Sequence, residues 1–140
     1  MFKRDKKYFM LAKAASELSD YDRIRIGAVI VRKKEVISIG YNHKKSHPKQ
    51  KELNAYRFED THDKCNHFLH AEMSAIVNSH YLNLSDASIY VYRSNKEGIQ
   101  NCRPCEACMR AIKEKGIKTI YYTTQDGYCM EEIENENQCK

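Results

Sequence analysis

Residues 101–112 read NCRPCEACMRAI and place two thiols, Cys105 and Cys108, three positions apart. A C-x-x-C pair serves as a redox couple, as half of a structural zinc knuckle, or as part of a catalytic metal site. Its own spacing leaves all three open. Earlier in the chain, HAEMSAIVNSH puts His70 two positions before Glu72. Catalytic zinc commonly takes three protein ligands and leaves the fourth position to water, and His70, Cys105 and Cys108 supply three. Two thiolates cancel the formal charge of the ion and weaken it as a Lewis acid. Helix N-termini, with their unpaired N–H groups and partial positive charge, offset part of that loss. Glu72 is spaced to reach the same site as a proton acceptor without ligating the metal. A purely structural zinc has no use for such a carboxylate and would want a fourth protein ligand.

Those four side chains need elements that bring them together. Residues 6–19 set Tyr8, Leu11, Ala12, Ala15 and Leu18 on one helical stripe, expected to pack in the core. RIRIGAVIVRKKEVISIGYN then reads as a hairpin over 25–32 and 35–41, interrupted by Lys33 and Lys34. Its first strand is apolar on both alternating faces from Ile26 to Val31, which implies a sheet covered on both sides. The apolar pattern stops between residues 43 and 68, a connection long enough to be functional or disordered. A helix begins at His70 with Ala71, Ala75 and Ile76 on its apolar side. ASIYVYRS is a strand and NKEGIQNCRP a loop. CEACMRAIKEKG is a helix opened by Pro104 and stopped by Gly116, and IKTIYYTT is another strand. The tail QDGYCMEEIENENQCK offers at most one short helix. Helices alternating with strands in this way predict a three-layer α/β/α sandwich around a mixed sheet, in one domain over residues 1–140.

Composition bounds the rest. At 140 residues, with 41% hydrophobic and 31% charged, the chain has the make-up of an ordinary globular domain. No apolar run approaches about 18 residues, so no membrane span is expected. The basic start MFKRDKKYFM has no apolar stretch behind it and does not read as a secretory signal, so a cytoplasmic location is expected. Without such a signal, the six cysteines point to metal or redox chemistry before disulfides. A net charge of +5 suits a phosphate-bearing ligand and is too small to argue for nucleic acid.

His70-Ala71-Glu72 followed by Pro104-Cys105-Glu106-Ala107-Cys108 matches the H-x-E and P-C-x-x-C signature of zinc deaminases at every defined position. The sequence resembles the cytidine deaminase superfamily, and within it the deoxycytidylate deaminases of phage and bacterial type. RIGAVIV, VISIGYN and MRAIKEKGIKTIYY carry the likeness through about residues 5–123. The resemblance implies one catalytic zinc on His70, Cys105 and Cys108, with Glu72 as the proton shuttle. It also implies that the Ala71 N–H faces the base, that Asn42 contacts the sugar and that Ile26 packs on the ring. The implied reaction converts a free pyrimidine nucleotide, dCMP foremost, to its uracil counterpart with loss of ammonia.

Implied partners are a small-molecule nucleotide and further copies of the chain in a homo-oligomer. Nucleic acid is disfavoured and no membrane is expected. The basic stretch HKKSHPKQK after Asn42 could meet a phosphate or be a solvated loop. The chain departs from its relatives at His43, where they commonly have glycine, in the longer connection RSNKEGIQNCR, and in lacking an evident fifth strand.

Two other functions stay open at this point: a deaminase of bases in tRNA or single-stranded DNA, and a non-catalytic zinc-stabilised nucleotide-binding module. His62, Cys65, His67 and Cys102 could hold a second, structural zinc. Their spacing fits no defined ligand pattern, so loop histidines and unligated thiols are expected instead. Cys129 and Cys139 lie in a polar tail with no chemical role expected. Tyr90, Tyr92, Tyr121 and Tyr122 are expected in the core or at an interface.

Overall fold

Strand β1 (Arg25–Arg32) is apolar on both faces, and the fold is arranged to cover it. The computed structural model describes residues 3–21, 23–44, 69–80 and 83–133. Helix α1 (Lys3–Ser16) precedes β1, which turns at Lys33 and Lys34 into β2 (Glu35–Tyr41). Then come α2 (Ala71–Ser79), β3 (Ser88–Asn95), the two-residue β4 (Gly98–Ile99) and α3 (Glu106–Glu114). β5 (Thr119–Thr124) and β6 (Gly127–Glu132) complete the described elements. The sheet order is β2-β1-β3-β5-β6, with β4 paired to the end of β3. β3 and β5 run parallel, connected through α3, while the other pairs are antiparallel. Lys33 and Lys34 both take positive φ, 52° and 67°, the backbone that matches the twist of a two-residue hairpin.

Alternation along β1 divides the core. Ala28 and Ile30 face α2 and α3 and pack with Met73, Ile89, Val91, Ile112 and Ile120. Val29 and Val31 face α1 and pack with Tyr8, Phe9, Ala12 and Tyr90. Helices on both sides of a mixed sheet give the expected α/β/α layers. Burial of each large side chain, such as Ile30, contributes about 1.5–3 kcal/mol.

Two glycines set how closely the layers approach. A Cβ on Gly27 would stand 1.9 Å from the Ala12 carbonyl oxygen in α1, and one on Gly40 would stand 2.2 Å from the Ala75 amide nitrogen in α2. The α1 face also buries a polar group. Asp5 is 2% exposed and accepts hydrogen bonds from the Tyr90 hydroxyl at 2.9 Å and the Tyr128 hydroxyl at 3.5 Å. Tyr90 in turn stacks on Tyr121, with ring centroids 4.2 Å apart.

The structure corrects three expectations. Leu11 and Leu18 are exposed, at 39% and 59%, because Phe9 takes the buried position beside Tyr8 and the helix ends at Ser16. The connection after β3 includes the short pair of β4 with Ser94 and Asn95. The tail is a strand: β6 forms a hairpin with β5 from Thr124↔Gly127 to Thr119↔Glu132. Its period-2 signal is faint because much of it is exposed, and the turn that joins it to β5 is Gln125-Asp126, ahead of Gly127 at φ 153°. The sheet therefore has the further strand that the tail seemed to lack.

Candidate metal centre

The three proposed ligands stand at the starts of α2 and α3. His70 is the residue before α2, extended at φ −77° and ψ 154°, and its carbonyl accepts the Ser74 N–H at 2.9 Å. Its side chain makes no cap hydrogen bond, which leaves the ring to face the centre. The entry to α2 is held from outside by His43, whose N–H donates to the Leu69 carbonyl at 2.9 Å. Cys105 is likewise the extended residue before α3, with its carbonyl accepting the Met109 N–H at 2.8 Å. Pro104, just ahead, cannot donate an N–H and needs no acceptor there. Cys108 lies in the first turn of α3, fully buried.

His70, Cys105 and Cys108 place their ligand atoms within 4.8 Å of one another. His70 Nδ1 is 3.6 Å from Cys105 Sγ and 3.3 Å from Cys108 Sγ. A tetrahedral zinc, about 2.3 Å from sulfur and about 2.0 Å from nitrogen, separates such ligands by about 3.5 Å. Donor chemistry and spacing both fit zinc. Among the described residues no second group of three His, Cys, Asp or Glu side chains gathers in this way.

Electrostatics in the cluster are those of a buried, proton-sharing set. The Cys105 thiol is pulled down to about 3, chiefly by the hydrogen bond with Cys108 and against the effect of burial. Cys108 is pushed well above the usual thiol range by that same bond and by burial. The surroundings thus favour the thiolate at Cys105, the form that binds metal. Glu72, 5% exposed, is raised above the usual carboxylate range mainly by burial, with His70 opposing. Its side chain is beside Cys108, so a carboxylate able to take and return a proton stands at the edge of the ligand cluster.

The other expected residues lie around this centre. Ala71 is fully buried at the first position of α2, and Ile26 and Cys105 both pack against the core that contains Ala71. Asn42 is buried, and its side chain holds the start of β1: Oδ1 accepts the Ile26 N–H at 3.0 Å and Nδ2 donates to the Ile24 carbonyl at 2.9 Å. One lone pair of Oδ1 and one hydrogen of Nδ2 are left by those bonds. His43 lies beside Tyr41, with ring centroids 4.2 Å apart and the planes tilted by 40°. His47, Lys45, Lys49 and Lys51 of the basic stretch, and His62, Cys65 and His67, lie outside the described residues, as does Cys139.

Cys102 is inside the core. Its sulfur is 3.1 Å from the Val91 carbonyl and 3.1 Å from Thr123 Oγ1, and burial pushes the thiol up to about 12. Its backbone N–H donates to the Thr123 carbonyl at 3.0 Å, and Thr123 Oγ1 donates to the Gln100 carbonyl at 2.8 Å. Together these bonds fix the loop that delivers Cys105. Arg103 ties the same loop to β6 through Glu131, with Nε 2.8 Å from Oε2. Spacing gives no hint of Thr123, which reads as one of several threonines and tyrosines in a strand. Cys129 is exposed on β6, and Tyr122 is buried on the α2–α3 side, opposite Tyr90 and Tyr121.

Residues 2–124 match the family model described as the cytidine and deoxycytidylate deaminase zinc-binding region. A Caenorhabditis elegans protein named "Probable deoxycytidylate deaminase" is 29% identical over 86% of this chain. The chain spans only 57% of that relative's length. The deoxycytidylate deaminase of Mycobacterium phage D29 is 27% identical over 83% of this chain and 91% of its own. Among solved structures, the dCMP deaminase of cyanophage S-TIM5, crystallised with dCMP and dUMP, superimposes with a TM-score of 0.60 at 21% identity. That match covers 89% of this chain and 84% of the phage chain, a likeness of fold. No described helix is long and apolar enough to cross a membrane.

Proposed function

We propose a nucleotide deaminase, starting from the fact that this chain belongs to the cytidine and deoxycytidylate deaminase zinc-binding family. The reaction is hydrolytic removal of the 4-amino group from a free cytosine nucleotide, with dCMP to dUMP as the first candidate. The observation that carries it is the buried Glu72 carboxyl set against the His70, Cys105 and Cys108 donors. Those three residues would hold zinc, which would supply a water that ionises near neutral pH. Glu72 accepts the proton that this water gives up and presents it to N3 of the ring, which makes C4 electrophilic. The oxygen then adds to C4, its remaining proton passes through the same carboxyl to the amino group, and the C4–N bond breaks to release ammonia and leave the 4-keto ring. Its raised proton affinity suits a group that must both take and release a proton. Ile26 lies against the ring, the Ala71 N–H faces the base, and Asn42 stands at the sugar.

A phage relative matched over most of its own length, and named a deoxycytidylate deaminase, supports a monophosphate substrate. So does a phage deaminase of similar fold crystallised with dCMP and dUMP.

The test is ammonia release by the purified, zinc-loaded protein. Substrates are cytidine, deoxycytidine, dCMP, dCTP and cytosine-containing oligonucleotides, with Glu72→Ala as control. Turnover of dCMP that disappears in the variant supports the reading. Activity on oligonucleotides alone would replace the substrate with a nucleic-acid base. Stoichiometric zinc with no turnover would leave a binding module.

A further inference from the structure

Arg93 is the one described residue with a buried side-chain nitrogen or oxygen lacking a hydrogen-bond partner, and that atom is its guanidinium Nε. It sits on β3 two positions beyond Val91, and β3 pairs with β1 without a register shift along this stretch. Ile89 and Val91 pack on the α2–α3 side of the sheet, so alternation directs Arg93 to that same side. Directly across the ladder is Ile26, whose N–H is held by Asn42. Cys102, in the loop leading to Cys105, lies within electrostatic reach of both Arg93 and Glu72. The row Asn42, Ile26, Arg93 therefore crosses the sheet on the face that carries the metal centre.

Arg93 has little to do there for the fold. Among the described residues its side chain makes one long hydrogen bond, Nη1 to the Asn101 carbonyl at 3.4 Å. No carboxylate among the described residues pairs with it, whereas Arg103 and Arg110 each face a glutamate. Half-buried guanidinium groups are ordinarily paired, and a donor left unmet inside a protein costs free energy. The fork of an arginine matches the oxygens of a phosphate, which can engage two N–H groups at once.

We propose that Arg93 is a specificity-determining residue, its guanidinium receiving the phosphate monoester of the nucleotide whose base lies over Ile26. This rests on the nucleotide-deaminase reading and names the group that would prefer a nucleotide to a nucleoside. Placement of Arg93 on a strand, next to the ring-packing residue, gives the phosphate a fixed distance from the reacting carbon.

Steady-state kinetics on dCMP and deoxycytidine, for the zinc-loaded wild type, Arg93→Gln and Arg93→Lys, decide it. Calorimetric binding of dUMP and deoxyuridine to the same three proteins gives a second readout. Expected is a fall of at least about tenfold in the ratio of kcat/KM for dCMP to that for deoxycytidine in Arg93→Gln, through KM. Arg93→Lys, which keeps the charge and loses the fork, should fall between. The dUMP affinity should drop in the same order. An unchanged ratio, or equal losses on nucleotide and nucleoside, overturns the proposal and leaves Arg93 a structural residue. If the wild type turns over neither compound, the deaminase reading fails by itself. The binding arm then decides: selective loss of dUMP upholds Arg93, and equal or absent binding overturns it.

Discussion

Glu72 and Cys108 are neighbours whose substitutions should both abolish activity but differ in zinc content. Glu72→Gln keeps the shape of the side chain and removes the proposed base. It should lower kcat by about 10²–10⁴-fold while zinc content stays at one per chain, as read by elemental analysis. Cys108→Ser should lose the metal as well as the activity. Cys102 separates the residue-scale possibilities further. Its thiol bonds Val91 and Thr123 within the core, so Cys102→Ala should cost about 1–3 kcal/mol in thermal unfolding and leave bound zinc unchanged. A loss of zinc on that substitution would instead make Cys102 a ligand. At this scale the sequence was most legible where side-chain chemistry is itself the signal. His70, Glu72, Cys105 and Cys108 are rare types at a defined spacing, and the structure gathers them. Thr123 and Arg93 were not legible. What matters there is which backbone carbonyl or strand neighbour each one meets, and that is decided by pairing between segments distant in the chain.

At the level of elements, the hairpin could be read because alternating apolar runs and a two-residue turn are both local properties. Strand β6 could not be read from its own alternation, since Met130 is 52% exposed and its other side is polar. Its partner is fixed by the turn at Gln125-Asp126 and by the bond from Arg103 to Glu131. Such an exposed ion pair adds at most about 1 kcal/mol, and its use is to hold the Cys105 loop against the sheet edge. The contacts of Gly27 and Gly40 depend on which helix crosses which strand, and neither motif nor composition announces them. They make a matched pair of tests. Gly27→Ala and Gly40→Ala each drive a methyl group into helix backbone, and each should destabilise by about 1–3 kcal/mol. Only Gly40 faces α2, the helix that begins with Ala71 and Glu72. Gly40→Ala should therefore reduce the proposed deaminase activity well below what its unfolding temperature explains. Gly27→Ala should reduce activity only in proportion to stability. Assays at a temperature where both variants are folded, alongside thermal melts, check this.

For the whole molecule, the metal centre joins parts of the chain that are 35 residues apart between His70 and Cys105. An ion held there closes a loop around β3 and β4, and closure of that length limits the unfolded chain by about 3–5 kcal/mol, by analogy with a disulfide. Chelation by a strong zinc ligand should lower the unfolding temperature by about 10 °C or more and be reversed by added zinc. A melt unaffected by the chelator would mean that the centre adds nothing to the fold. The opposite face of the sheet is closed by a still longer span. The bond from Asp5 to Tyr90 crosses 85 residues, and the one to Tyr128 crosses 123. A ribosome therefore releases α1 long before it releases the hydroxyl groups that Asp5 needs. During synthesis the helix waits for both of these bonds, and the second becomes possible only when β6 emerges.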